Sequence, residues 1–443
     1  MDRRSLISAA AALYAGRKLR GVLPRPTPSP AQLRWQRDER ALFVHFTINT
    51  FTGREWGDGT ESPQLFNPTA LDPRQWTRSA RSAGFRSVIL TAKHHDGFCL
   101  WPSQLTSHSV ASSPWKNGRG DVVRELADAC RADGLGLGLY LSPWDRREPS
   151  YGDSPRYNDF YIAQLSELLT RYGKVTEVWF DGANGEGPNG RRQVYDWPRI
   201  HRTVRALQPE AVIFSDAGPD IRWIGNEKGI AGDPNWASVD PKTVPVPGLS
   251  GDEVIRQLQH GDADGSAWRP GEADVSIRPG WFWRPEEDEK VKPASELLDL
   301  YYQSVGRNAG LLLNVPPTTS GRFHQNDVRQ LEGFGQLVRD EFTRDEAHSA
   351  KVRRTTDSVE LELGRAVPVR VIDLREDIQF GQHIARHRVE LRVNGRWQVA
   401  VRGSTIGNRW LHRIAPTKAD AVRVVVEESH DTPRVERVGV FGV

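Results

Sequence analysis

Cysteine is scarce in this chain of 443 residues: only Cys99 and Cys130 occur. One possible pair cannot make the bridged framework of a small secreted module, and it leaves the redox compartment undefined. Both residues fall in segments that read as barrel core or helix, so two buried free thiols are expected. Long hydrophobic runs are also missing, and no segment is apolar enough to span a bilayer as a helix. Neither sign of charge dominates, with 60 Lys and Arg against 57 Asp and Glu. The basic residues are scattered and form no stripe, which argues against nucleic acid as a partner. There are no internal repeats, and the one low-complexity tract is a short Pro-rich stretch. What remains is the composition of a soluble globular protein with room for two domains. Tryptophan is the exception, at 15 residues. Most such rings are core, but they also stack on the apolar faces of sugars and other flat ligands.

The N-terminus carries one address-like feature. Arg3 and Arg4 precede Ser5, Leu6, Ile7 and an Ala-rich apolar run to Gly16. Paired arginines before a short apolar stretch resemble a bacterial twin-arginine signal, which implies export to the periplasm or beyond. The alternative is a frayed helix on a cytoplasmic protein. Leu23–Pro30 then reads as an extended Pro-rich linker. Residues 1–30 are therefore expected to be leader and linker, with the folded chain starting near Ala31.

From 31 to 345 short apolar runs alternate with helical periods. Ala41–Phe46, Arg86–Ala92, Leu135–Leu141, Val175–Phe180, Ala211–Phe214 and Leu311–Val315 suit strands buried on both faces. Asp72-Pro73 and Asp121 are helix starts, Gly84 and Gly134 helix stops, and a further helix is expected over Tyr161–Tyr172. This alternation predicts a TIM-like (β/α) barrel. Strands six and seven have no clear run, and Gly232–Arg284 reads as long loops. Over 346–443 the texture changes to strand alternation with turn signals, Asn394-Gly395 among them, and predicts a C-terminal β-sandwich.

Barrel enzymes place their chemistry at the carboxyl ends of the strands. Here those ends carry His45, His94-His95-Asp96, Tyr140 with Asp145, Trp179-Phe180-Asp181 and Ser215-Asp216. One such residue is unremarkable, since a lone His after a strand is usually a bonded core residue. Five adjacent strand ends of this kind indicate a site for a polar ligand.

Several segments then carry a family resemblance. They are His45-Phe46 with Asn49-Thr50-Phe51, His94-His95-Asp96-Gly97-Phe98, Ser142-Pro143-Trp144-Asp145 and Trp179-Phe180-Asp181-Gly182. Arg222–Glu227, Ser276–Phe282, Gly306-Arg307-Asn308 and Leu312–Pro317 continue it in order across the barrel. Together they resemble the α-L-fucosidases of glycoside hydrolase family 29. The Gly225-Asn226-Glu227 segment is most similar to the branch that prefers α-1,3/1,4-linked fucose.

The resemblance implies an exo-acting, retaining enzyme on fucosylated glycans, with no metal or cofactor. It makes Asp181 the nucleophile and Glu227 the acid/base. It places His45, His94, His95, Tyr140 and Trp179 around the sugar, with Glu55, Trp56 and Trp281 as further contacts. The chemistry is consistent: retention needs two carboxyl groups about 5–5.5 Å apart, one to attack and one to protonate the leaving oxygen. Other readings stay open. Asp181-Gly182 could be a strand-ending turn, Glu227 could be a solvated loop charge, and Glu272 rivals it as the acid. Asp145 is expected to orient Trp144 or a histidine. Broad or α-1,2 specificity, a metal-dependent barrel hydrolase and a non-catalytic fucose-binding protein are the competing functions. The C-terminal domain resembles the galactose-binding-like sandwich; Trp397, Trp410 and His412 are candidate sugar contacts, with packing against the barrel the alternative.

Overall fold

The computed structural model describes residues 25–442. The twin-arginine-like segment lies outside the described residues. The strands in chain order are β1 Arg40–Val44, β2 Ser87–Lys93, β3 Gly136–Leu141, β4 Glu177–Trp179, β5 Val212–Phe214 and β6 Arg222–Trp223. There follow β7 Ser238–Val239, β8 Ala267–Trp268, β9 Gly271–Ser276 and β10 Gly310–Asn314. Eight of them pair in parallel in the order β5-β4-β3-β2-β1-β10-β9-β6. A parallel bridge between Phe214 and Ile221 spans the remaining seam between β5 and β6, so the sheet curls into a barrel.

The apolar runs explain why these strands form. Leu42, Val44, Val88, Leu90, Leu139 and Leu313 are buried toward the surrounding helices, while Phe43, Ile89 and Leu312 fill the interior. Gly138 makes room for that filling: a Cβ there would sit 2.6 Å from Ile89 Cγ1. Helices Pro73–Ser82 and Val122–Asp133 start at Asp72 and Asp121, whose carboxylates accept the backbone N–H groups of Gln75 and Arg124. Each such cap contributes about 1 kcal/mol. The helix expected from Tyr161 begins earlier, at Ser154, with Pro155 in its first turn.

The stretch expected as loops, Gly232–Arg284, is more ordered than that. It contains the antiparallel β7–β8 pair, a helix over Asp252–His260 and the seventh barrel strand, β9. β9 escaped notice because its inward side chains, Glu272, Asp274 and Ser276, are polar. β6 has two residues and follows β5 with no helix between them, so it leaves no periodic trace.

The C-terminal strands are β11 Lys351–Arg354, β12 Ser358–Glu376, β13 Ile384–Val393, β14 Arg396–Gly403, β15 Trp410–Ser429 and β16 Val435–Phe441. All pair antiparallel. β12 and β15 are long, and register shifts between Glu362 and Val367 and between Val369 and Val371 bend them. The two ends of the sheet thereby close over one core that includes Val359, Leu374, Leu391, Val424 and Val440. Asn394 and Gly395 both have positive φ (51° and 74°), as the tight hairpin between β13 and β14 requires. The two cysteines are free and buried.

The sandwich docks tightly on the barrel. Asn308 Oδ1 accepts the Asn408 N–H at 2.7 Å, and Gln382 donates to Asn235 O at 3.0 Å. Glu39, at the entry to β1, meets Arg409 at 2.9 Å and Arg375 at 2.7 Å. Trp410 and His412 are buried within this domain, and His412 bonds His387 ring to ring at 2.8 Å. Trp397 lies between the Arg392 and Arg423 guanidiniums. Trp410 and His412 are taken up by packing, while Trp397 stays half-exposed.

Candidate active site

The carboxyl ends of the strands converge on one opening. β1 delivers His45, β2 delivers His94 and His95, β3 ends with Tyr140 near its tip, and β4 leads through Trp179 to Asp181. Loops after β6 and β9 bring Glu227 and Trp281 over the same mouth. The result is a cavity of about 210 Å³. Nine of the ten residues nominated from sequence line it: His45, Glu55, Trp56, His94, His95, Trp179, Asp181, Glu227 and Trp281. Tyr140 stands just behind, its hydroxyl donating to Asp181 Oδ2 at 3.0 Å. Phe43, Ala183 and Asp274 complete the wall. A larger cavity, about 510 Å³, lies at the opposite end of the barrel beside helix Pro30–Asp38 and contains none of the nominated residues.

Asp181 is held at both oxygens. Tyr140 donates to one, and the Ala183 N–H donates to the other at 2.6 Å. Glu227 is different. It sits on the exposed rim, and its one side-chain partner among the described residues is the Trp281 indole N–H at 3.3 Å. Partial loss of hydration against the cavity wall, with a smaller push from Asp181, raises its proton affinity above the ordinary carboxylate value. One carboxylate is thus fixed, and the other is poised to hold a proton.

Glu272, the rival acid, is elsewhere. It is buried in the barrel interior below the cavity, accepts the Trp179 indole N–H at 3.0 Å and lies beside the Glu177 carboxyl. Burial raises the proton affinity of both. Glu272 therefore fixes Trp179, which stacks on Phe214 at 4.3 Å and walls the cavity.

The three histidines have distinguishable faces. Asn314 uses its amide N–H groups on Ser276 Oγ and Trp281 O, so its Oδ1 is the acceptor facing His45 Nδ1 at 2.9 Å. His45 therefore carries its proton on Nδ1 and leaves Nε2 as an acceptor. Ser142 donates to Trp144 O, so its oxygen accepts from His95 Nδ1 at 2.7 Å, and His95 likewise keeps Nε2 as an acceptor. Asn49 Nδ2 donates to Glu55 O and, at 3.4 Å, to His94 Nδ1, which leaves the proton of His94 on Nε2. Burial lowers the proton affinity of all three, to about 3 for His45. The neutral trio offers two acceptors and one donor, a match for ring hydroxyls.

Glu55 anchors the Trp281 loop, accepting the Trp281 N–H at 2.5 Å and the Arg284 guanidinium at 2.7 Å. The buried Arg278–Asp327 ion pair, 2.9 Å, holds the same loop from below. Trp56 is 57% exposed at the rim and meets His95 and Trp144 edge-on. Asp145 does not orient Trp144. It pairs with the buried Lys93 at 2.8 Å and accepts the Arg147 and Glu148 N–H groups, while the Trp144 indole donates to Glu186 O.

A second cavity of about 200 Å³ adjoins the first and shares Trp179, Asp181, Ala183, Glu227 and Asp274 with it. Its own walls are Gly182, Phe214, Asp216 and Trp223. Among the described residues no three His, Cys, Asp or Glu side chains converge as a metal site would require. Sequence reasoning missed Asp274, Asn314 and Trp223 as site residues. The signal for Asp274 was the alternation Glu272-Ala273-Asp274-Val275-Ser276, which is strand-like but polar on its inner face.

The chain has clear relatives. The family model described as alpha-L-fucosidase matches residues 31–341. Alpha-L-fucosidase 1 of Arabidopsis thaliana is 44% identical, over 94% of this chain and 87% of that protein. The crystal structure of a glycoside hydrolase family 29 member from an unknown rumen bacterium superposes with a TM-score of 0.88 at 41% identity, covering 95% of this chain and 78% of that one. A Ruminococcus gnavus family 29 fucosidase in complex with fucose gives a TM-score of 0.86 at 33% identity, covering 95% and 96%. With its barrel, its strand-end constellation and these relatives, this chain belongs to the α-L-fucosidases of glycoside hydrolase family 29.

Proposed function

We propose that this α-L-fucosidase releases terminal α-1,3/1,4-linked fucose from branched, Lewis-type glycans by double displacement. The observation that carries the reading is the contrast between the two carboxylates on one cavity. Asp181 is fixed by two donors at a strand end, and Glu227 is half-released on the rim with raised proton affinity. In the first step an Asp181 oxygen attacks the anomeric carbon. The bond to the leaving oxygen breaks, and Glu227 supplies its proton to that oxygen. In the second step Glu227 removes a proton from water, the water oxygen attacks the same carbon, and Asp181 leaves as a carboxylate.

Around that centre the neutral histidines meet the sugar hydroxyls, and Trp179 with Phe43 presents apolar surface to the fucose methyl. The linkage reading draws on the resemblance at Gly225-Asn226-Glu227 and on the second cavity, where a sugar next to fucose would lie. Proton NMR of a Lewis-type trisaccharide beside its linear α-1,2-fucosylated counterpart tests it. Release of α-fucose from the branched sugar alone is expected. Cleavage of the linear sugar alone would overturn the linkage reading and unseat Glu227. First-formed β-fucose would remove the nucleophile role from Asp181.

A further inference from the structure

The inner face of β9 carries Glu272, Asp274 and Ser276, alternate residues that point the same way along a strand. Two of them are turned to the protein. Glu272 accepts from Trp179 beside Glu177, and Ser276 bonds Asn314 and Gly280 O. Asp274 is not. Its Oδ1 accepts the Trp223 indole N–H at 2.8 Å, and no other side chain among the described residues bonds the carboxyl. The residue is 4% exposed, and what remains open faces both cavities at once. The oxygen that Trp223 does not bond opens onto the space that a ligand would fill.

We propose that Asp274 contacts the sugar to which fucose is attached: its free carboxyl oxygen, held at the junction of the two cavities by Trp223, hydrogen-bonds a hydroxyl of that sugar beside the bond being cleaved. This assignment rests on the fucosidase reading of the site. Burial, then the nearby Glu227 and Asp181, favour the neutral carboxylic acid. In that form the group both donates and accepts, as a sugar hydroxyl does.

The test compares kcat/KM of the wild type, Asp274→Asn and Asp274→Ala on an aryl α-L-fucoside and on α-1,2-, α-1,3-, α-1,4- and α-1,6-linked fucosyl oligosaccharides. The wild-type panel reads out linkage, and the variant-to-wild-type ratio reads out Asp274. Asp274→Ala is expected to lose at least about 10-fold more on the oligosaccharide that the wild type cleaves best than on the aryl fucoside. Asp274→Asn, neutral with both a donor and an acceptor, is expected to stay within about 5-fold on both. Calorimetric binding of fucose with wild-type Kd shows that Asp274→Ala keeps its first cavity.

Equal losses on both substrate types would overturn the proposal. So would an Asn variant as impaired as the Ala variant, or an Ala variant that no longer binds fucose. A wild type that turns over the aryl fucoside and no oligosaccharide refutes the linkage reading and this one together. A wild type specific for α-1,2 linkages refutes the linkage reading alone.

Discussion

Trp281→Phe isolates the hydrogen bond that partly offsets the raised proton affinity of Glu227. The phenyl ring keeps an aromatic surface against His45 and Phe43, whose rings lie 5.0 and 6.3 Å from the indole. What disappears is the indole N–H, 3.3 Å from Glu227 Oε2. A donor at that position favours the carboxylate over the acid, so removing it raises the proton affinity of Glu227. A hydrogen bond to a charged group contributes about 1.5–3 kcal/mol. This one is longer than the usual range and lies at a solvent-exposed rim, which reduces it to about 0.5–1 kcal/mol. At about 1.36 kcal/mol per pH unit, the shift is about 0.4–0.7 unit. The first step requires protonated Glu227, so the alkaline limb of the kcat/KM profile moves to higher pH by that amount. An oligosaccharide substrate shows the shift most clearly, because its alcohol leaving group needs the proton. A limb that stays in place or moves down would refute the role given to this bond.

Tyr140→Phe removes one of the two donors on Asp181 and is expected to lower kcat about 10- to 100-fold, with fucose affinity nearly unchanged; a loss confined to KM would contradict it. Asp327→Ala removes one of the two carboxylates paired with the buried Arg278, leaving Asp288 at 2.9 Å, and is expected to cost about 1.5–3 kcal/mol of stability, read as a Tm lower by a few degrees. An unchanged melting curve would show that the pair contributes nothing. Gly182→Ala places a Cβ 2.2 Å from Asp216 Oδ2, on the wall of the second cavity. Oligosaccharide turnover is expected to fall more than aryl-fucoside turnover, and parallel losses would speak against that cavity as a sugar site. Replacing Arg3 and Arg4 by Lys in a bacterial host is expected to keep the protein in the cytoplasm; undiminished export would end the twin-arginine reading.

The barrel was readable wherever its strands are apolar on both faces. Leu42–Val44, Val88–Leu90 and Leu311–Leu313 announced themselves because helices cover one face and packed interior the other. β9 broke that rule. Ala273 and Val275 face the core outside, but Glu272 and Asp274 point into the interior, so the strand looked like loop. β6 was too short to show any period. The C-terminal domain shows its alternation only in pieces, because the bulges in β12 and β15 interrupt it. Within the site, His45, His94, His95 and Asp181 were visible because each directly follows or ends a recognised strand. Asp274 and Trp223 stayed hidden for the same reason as the strands that carry them. The resemblance puts Glu227 rather than Glu272 in the place of the acid, and the two differ in depth, Glu227 lining the cavity and Glu272 lying buried below it.

Glu39 bears on whether the two domains are separable modules. It sits at the seam with φ of 62°, a backbone state that costs a non-glycine residue about 1–3 kcal/mol. Burial alone would raise its proton affinity, yet Arg409 and Arg375 of the sandwich hold it down at about 2. Tyr301 of the barrel adds a hydroxyl donor at 2.9 Å. Cut the sandwich away, and the first barrel strand begins with a strained residue whose counter-charges are gone. The pair should therefore melt in one cooperative transition, and a chimera carrying a foreign sandwich would need those two arginines to fold well. Acid should loosen the union. The folded-state value lies below the ordinary 4.5, so the contribution is complete above that pH and is lost as the pH falls toward about 2.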